Sequence, residues 1–546
     1  MPILNGNDFL AAGYQPGPII AELIDALAEL EAKGILDPDY AMKLLKRDYP
    51  MAAPKLRLRD DALDFSEAIE AEAPAEEKNV NAVRRFMREL MRVPVVQAGA
   101  VMPDACPAGS GPATIPVGGA IAVRNAIIPS AHSADICCSM YATFFDSDAP
   151  VADTMDALLA STRFGFGGRS TNDLVHHPVL DEEVWKNPFL QGLKDKATIH
   201  MADQGDGNHF AFLGEIEVRA AFVERLRASG YPELAAQLLP DDFPEASRRL
   251  RVLVTHHGSR GLGAAVYKRG QNAAERETKR VAEGIPKAAA WLDTNTDVGA
   301  DYWEALQYVS RWTKANHQSI HRRFLERLGA FEQGEAAGQG HGLAAEELGA
   351  MAVPPVAAFG NEHNFVWKRG QMYLHGKGAT PAWNDAEGRP LLGLIPLNMS
   401  EPILLVLGGD NEDHLSFAPH GAGRNQSRTA TLREYRTKNG ELDNSKIRDK
   451  IATTTEGLDV RWFYGKADLT ETPVAYKNAA AVRAQIDTFE LAEVVGEIHP
   501  LGCIMAGTPP KRGEKPLSPK QKRQIQHRAE RRKSKQVRWD ASDEDE

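Results

Sequence analysis

Short runs of apolar and β-branched residues recur through the middle of this chain, separated by glycine-rich turns, and this pattern constrains the fold more than any other feature. "ATIPVGGAIAVRNAIIPSA" (113–131), "RVLVTHHGSRGLG" (251–263) and "PILLVLGG" (402–409) are too short and too often broken by glycine to be helices, so they read as strands. Between them "DYWEALQYVSRWTKANHQSIHRRFLERLGAF" (301–331) carries an apolar stripe at helical spacing. The expectation is therefore an α+β (mixed α/β) fold, and no internal repeat suggests a solenoid or propeller.

At 546 residues the chain can hold one large domain with appendages or two to three ordinary ones. "GPIIAELIDALAELEAKGI" (17–35) predicts an N-terminal helix, and "DPDYAMKLLKRDYP" (37–50) a shorter second one. Their amphipathic pattern fits packing on the main domain, or a docking element or lid. "EAIEAEAPAEEKN" (67–79) reads as an acidic linker, and "NVNAVRRFMRELMRV" (79–93) as a helix opening on an Asn cap. Three segments are expected: an N-terminal helical extension and linker over 1–78, the main domain over 79–507, and a basic tail over 508–546. "FEQGEAAGQGHGLAAEELG" (331–349) reads as an inserted loop.

Composition limits what the chain can do. Hydrophobic residues make up 43% and charged residues 25%, as in soluble globular proteins. No apolar run reaches the roughly 20 residues of a membrane helix, and the start "MPILNGNDFLAAG" lacks a signal-peptide pattern. Four cysteines, two of them adjacent, are too few for a disulfide framework; a reducing, cytoplasmic compartment is expected, with no membrane partner. The net charge is −11, yet 511–538 is strongly basic before the acidic end "DASDEDE". That tail reads either as a salt-sensitive nucleic-acid contact or as a solvated terminus.

Five polar turns carry candidate chemistry: "MPDACPAGSG", "HSADICCSM", "GDGNHFAF", "VTHHGSRG" and "FGNEHNF". A lone His in such a turn is more often a packed residue than a ligand. Asp, Cys and several His together can hold a pair of divalent transition metals, with the carboxylate able to bridge. "DHLSFAPHGAGRNQSR" (413–428) adds a histidine beside glycines and arginines, a pattern suited to phosphate. Metals beside such a turn point to phosphoryl or nucleotidyl transfer.

Taken in order, these motifs resemble the RtcB-type RNA ligases, which join RNA ends using GTP and Mn²⁺. The resemblance runs from about residue 85 to 507. It rests on "AVMPDACPAGSG", "GGAIAVRNAIIPSAHSADICCSM", "GDGNHF", "THHGSRGLG", the helix within 285–325, "NEHNFV", "PHGAGRNQSR" and "TPVAYKN". It implies a catalytic domain with mostly antiparallel sheets. It places Asp135, Cys138, His209, His256 and His363 as ligands of Mn²⁺, with two ions expected. Asn208, Arg260, Asn398, Ala422, Gly423, Arg424 and Tyr476 fall on nucleotide- or phosphate-contacting positions. His420 falls on the histidine that takes up the nucleotide, and Asp104 on an aspartate needed for later steps. Cys137 and His257 stand where the family has glycine and serine and are read as bystanders; Cys106 and Cys503 are read as packed thiols, and no role is assigned to His132 or His499.

The resemblance implies that His420 attacks the α-phosphorus of GTP, releasing pyrophosphate. The nucleotide then passes to an RNA 3′-phosphate, a 2′,3′-cyclic end being opened first, and a 5′-hydroxyl completes the join. An activating protein partner remains open. Some positions depart from the family. Phe212 stands where a base-reading glutamate sits, Asn398 replaces a serine, and "GCIMAG" (502–507) places Met505 or Ala506 near a lysine position. The segment after Asp104 also lacks the histidine and the lysine or tyrosine that often follow. Losing a base-reading carboxylate changes discrimination. Alternatives are therefore a nucleotidyltransferase using another nucleotide such as ATP or another end, a catalytically weakened RNA-binding repair factor, and a metal-dependent hydrolase.

Overall fold

A computed structural model describes residues 2–50, 55–109, 111–332, 353–425, 427–437 and 439–509. The expected insertion beyond Glu332 and the basic tail from residue 510 lie outside these residues. Two compact units are present: Met1–Arg57 with Lys279–Gly284, and Leu58–Thr278 with the described residues from Ile285 onward.

The smaller unit has its own core. Helices Gly6–Ala11, Pro18–Ala32 and Pro38–Asp48 bury Phe9, Tyr14, Leu23, Leu27, Ala41 and Leu45 against one another. The third begins where its sequence dictates: Pro38 presets the first turn, and the Asp37 carboxylate accepts from Asp39 N–H at 2.9 Å.

The larger unit begins at Leu58, ahead of the 78/79 boundary expected from composition. Ser66–Glu67 is already a strand of its sheet. The acidic run is a helix start rather than a linker. Helix Pro74–Met91 opens on proline with Glu76 and Glu77 in its first turn, where the helix dipole favours negative charge. Asn79 is therefore inside the helix instead of capping it, and its amide donates to the Asn425 carbonyl.

In chain order the strands are β1 (Ser66–Glu67), β2 (Val96–Cys106), β3 (Val117–Arg124), β4 (Ala126–Ile127), β5 (Ser139–Phe145), β6 (Phe210–Arg219), β7 (Ser247–His257), β8 (Leu292–Asp293), β9 (Pro355–Glu362), β10 (Asn364–Arg369), β11 (Met372–Lys377), β12 (Ala379–Pro381), β13 (Leu392–Pro396), β14 (Ile403–Gly408), β15 (Phe417–Pro419), β16 (Asp459–Trp462) and β17 (Ala492–Met505). One sheet runs β1-β2-β3-β11-β10, and a larger one runs β13-β14-β17-β6-β7-β5-β9, with β16 beside β17. Only β1–β2 and β16–β17 pair in parallel among the described strands; the fold is α+β and mostly antiparallel, as expected. The larger sheet is nearly closed. Asn361 on β9 accepts from Leu394 N–H on β13 at 2.9 Å and donates to its carbonyl at 3.3 Å, so one amide stitches the two edges together.

Strand alternation sorts the larger sheet's side chains. One face carries Phe145, Ala211, Leu213 and Leu253, which pack with Phe324 of the long helix Asp297–Glu332. The other carries Met140, Phe144, Phe212, Val252 and Val254 and packs on helices Ala220–Ala228 and Pro232–Leu238 through Val223, Leu226 and Leu238. No helix among the described residues is long and apolar enough to cross a membrane.

Candidate functional site

The second face opens at one end into a cavity of about 280 Å³, lined by Asp135, Cys138, His256, His363 and His420 among others. Cys138 precedes β5, His256 is the penultimate residue of β7, and His363 follows β9, so three neighbouring strands bring them together. The Cys138 Sγ lies 3.2 Å from His256 Nε2 and 3.7 Å from His209 Nε2. His256 Nε2 and His363 Nε2 are 3.1 Å apart, and His209 Nε2 is 2.8 Å from Asp135 Oδ2.

Two of the imidazoles are held in one tautomer by the backbone. His209 Nδ1–H donates to the Gln204 carbonyl at 2.8 Å, and His256 Nδ1–H to the Asn208 carbonyl at 3.2 Å. Both Nε2 lone pairs therefore point into the cluster, the arrangement that prepares a histidine for a metal. Burial pushes His256 down to about 3 and His363 well below its ordinary value, so both stay neutral. Burial works to raise the Asp135 carboxyl, but the His209 imidazole, with Cys138 and His256, outweighs it and holds the group at about 2. Burial and Asp135 push the Cys138 thiol well up, a cost that a bound dication would remove by stabilising the thiolate.

The donors form two triads, Asp135–Cys138–His209 and Cys138–His256–His363. Thiolate, imidazole and carboxylate at these separations fit two adjacent transition ions. The atom common to both triads is the Cys138 sulfur, while Asp135, a carboxylate able to bridge, belongs to one of them. Cys137, next in the chain, packs in a hydrophobic cluster with Ile136 and Leu262.

His420 sits beside this cluster, its ring 4.8 Å from that of His363. Its Nδ1–H donates to Asp104 Oδ2 at 2.5 Å, and Asp104 is fully buried. Nδ1 is thereby committed, and Nε2 is the ring nitrogen left for other partners. Glycines make this approach feasible. Gly378 (φ +63°) lies where a Cβ would come 2.9 Å from His420 Cε1, and a Cβ on Gly423 (φ +73°) would collide with the Asp104 carbonyl. The glycine of the "HGAGR" turn thus admits the strand that carries Asp104.

Other expected residues fall in different places. Asn208, Asn398, Ala422, Gly423, Arg424 and Tyr476 line the cavity. Arg424 is already engaged: it donates to the Thr470 carbonyl and to Glu471 Oε2, each at 2.7 Å, and lies over the Tyr476 ring. Arg260 is outside the lining; it donates to the Gly165 carbonyl at 2.9 Å and lies 3.5 Å from Asp203. Of the histidines given no role, His132 is buried against the Tyr302 hydroxyl at 3.0 Å and His499 is exposed.

Sequence reading missed two residues. Glu471 is a buried carboxylate accepting from Arg424 and from the Tyr476 hydroxyl at 3.0 Å, and it also pairs with Arg428. Lys377 lines the cavity, donating to the Ile115 carbonyl at 3.1 Å, and burial pushes its ammonium down to about 8. "LHGKGAT" (374–380) resembles the "HGAG" turn and was a signal for it.

The fold and site thus define an α+β protein with a Cys–His–Asp cluster and an Asp-oriented histidine sharing one cavity. The family model described as tRNA-splicing ligase RtcB matches residues 179–506, more than half of the chain, and the chain belongs to the RtcB family. The chain is 25% identical over 424 residues to the RNA-splicing ligase RtcB of Escherichia coli K12, covering 74% of this chain and 89% of that protein. It is 26% identical over 330 residues to the tRNA-splicing ligase RtcB of Pyrococcus furiosus, covering 57% of this chain and 30% of the relative. With the Pyrobaculum aerophilum protein of the same name, identity is 27% over 342 residues, 59% of this chain and 63% of the relative.

Proposed function

We propose that this chain is an RNA ligase that joins a 3′-phosphate or 2′,3′-cyclic phosphate end to a 5′-hydroxyl through a nucleotidyl adduct on His420. The observation that carries the reading is the 2.5 Å hydrogen bond from His420 Nδ1 to buried Asp104, which commits Nδ1 and leaves Nε2 as the ring nitrogen for a nucleophilic role beside the cluster. The relatives named as RNA-splicing ligases support the RNA substrate.

In the first step the Nε2 lone pair attacks the α-phosphorus of a nucleoside triphosphate; GTP is the nucleotide that the resemblance implies. The P–N bond forms, the P–O bond to pyrophosphate breaks, and Asp104 stabilises the positive charge on the ring. An oxygen of the RNA 3′-phosphate then displaces His420 and carries the nucleotide. The 5′-hydroxyl attacks the activated 3′-phosphorus and releases the nucleoside monophosphate. Asp135, Cys138, His209, His256 and His363 would hold Mn²⁺, which when bound supplies charge neutralisation for phosphate oxygens. Lys377 adds a cation at the same cavity. We place the reaction in the reducing cytoplasm, where the four free cysteines stay reduced.

The test is covalent labelling. Protein incubated with Mn²⁺ and α-labelled nucleoside triphosphate should acquire an acid-labile label that His420→Ala abolishes. It should also seal an RNA with 3′-phosphate and 5′-hydroxyl ends. Absence of label with every nucleotide, in folded and metal-loaded protein, would rule the mechanism out.

A further inference from the structure

The cavity has two unlike halves. Across the sheet, His256 on β7 lies opposite Phe210 on β6, which lies opposite Met505 on β17. In the next row, Val254, Phe212 and Cys503 stand in the same relation. Phe210, Phe212, Cys503 and Met505 all line the cavity, with Met399 beside them. With strands about 4.8 Å apart, this apolar floor reaches roughly 10 Å from His256. It has the extent and chemistry to receive the flat base of a nucleotide whose phosphates lie at His420. Rings and sulfurs pack on any base, so discrimination must come from the base edge.

Side-chain acceptors are scarce at that edge. The Asn398 oxygen is occupied, accepting from Ser400 N–H at 2.9 Å, which leaves its NH₂ as a donor. On Glu471, Oε2 accepts from Arg424 and Tyr476, and Oε1 faces the Arg428 guanidinium, whose charge it neutralises. Guanine brings three N–H bonds on its pairing edge and needs acceptors for them. Adenine brings two, on one exocyclic nitrogen, and its N1 acceptor suits the Asn398 amide. A site that leaves base donors unpaired rejects that base.

Resting on the nucleotidyl-transfer reading above, we infer that this cavity selects ATP over GTP, with Phe212 as the specificity-determining residue. The test uses full-length, Mn²⁺-loaded protein and measures the dissociation constants of the α,β-imido analogues of ATP and GTP, alongside covalent labelling by α-labelled ATP and GTP. The expected result is ATP favoured at least tenfold in binding and in labelling. Phe212→Glu should shift the ratio at least tenfold towards GTP; Met505→Gln serves the same purpose if that variant does not fold. Tighter binding of the ATP analogue without any covalent label would uphold the base preference while defeating the ligase mechanism. Equal affinities, a preference for GTP, or no binding of either analogue at millimolar concentration would overturn the inference.

Discussion

Histidines line both faces of the larger sheet, and their surroundings differ in one respect that decides what each set can do. On the cavity side, His209 and His256 commit Nδ1 to backbone carbonyls and turn Nε2 towards other acceptors. Those contacts, nitrogen to nitrogen and nitrogen to carboxylate, are satisfied only if a cation or proton lies between them. On the helix side, His317 bonds Ser139 Oγ at 3.0 Å and Thr255 Oγ1 at 2.6 Å. His321 bonds Thr255 Oγ1 at 2.8 Å and Thr143 Oγ1 at 2.7 Å. Hydroxyls can donate or accept, so His317 and His321 are satisfied as neutral rings. Converging acceptors mark a binding site; alternating imidazoles and hydroxyls mark a structural seam.

The comparison breaks most visibly at Cys138. Because both triads use its sulfur, Cys138→Ala should empty both metal positions and lower ligation by about 10³-fold or more. Elemental analysis with a ligation assay checks this, and retention of one equivalent of metal would refute the shared role. Asp104→Asn should keep the metal but lower adduct formation by roughly 10²-fold, because an amide neither fixes the His420 tautomer nor stabilises its charge as well; single-turnover labelling measures it. On the helix side the order of effects reverses. His317→Ala should leave metal content unchanged yet lower stability by about 2–3 kcal/mol, the cost of unpairing buried hydroxyls; urea midpoints report it.

Counted per histidine and per pH unit, the smallest effect is set by pH. Burial holds His132 at about 4 and His321 and His375 at about 3, below the ordinary 6.5. The unfolded chain therefore binds more protons below pH 6.5. Stability should be full above that value and fall progressively down to pH 3–4, by about 1 kcal/mol per histidine for each pH unit. Urea midpoints at pH 7.5 and 5.5 check the sign, and His321→Gln should flatten the slope.

The strands, the long helix and the turns whose Asp, Cys and His side chains converge were legible because each follows local rules: short β-branched runs, a 3.6-residue stripe, glycine beside a polar side chain. What was harder to read depends on parity and partners. His256 and His257 are adjacent, and only the family resemblance told them apart; strand alternation gives the physical reason, putting one in the cavity and stacking the other on His317 at 3.5 Å. His317 and His321 belong to a helix whose apolar stripe concealed a polar layer. The acidic run at 67–79 looked like a linker by composition, while its proline and first-turn glutamates were helix-start signals. Glu471 could not be singled out, since nothing near it in sequence announces that Arg424 and Tyr476 converge on it.

The order of strands in the larger sheet has a consequence for synthesis. β17, at residues 492–505, lies between β14 and β6. While the chain emerges from the ribosome, the edge of β6 stays open from residue 219 until β17 follows at 492, and that of β14 from 408. The same late strand supplies Cys503 and Met505 to the cavity floor. A nascent chain of this protein thus carries an open apolar edge on β6 while roughly 270 further residues are made, which makes it a natural client for chaperones.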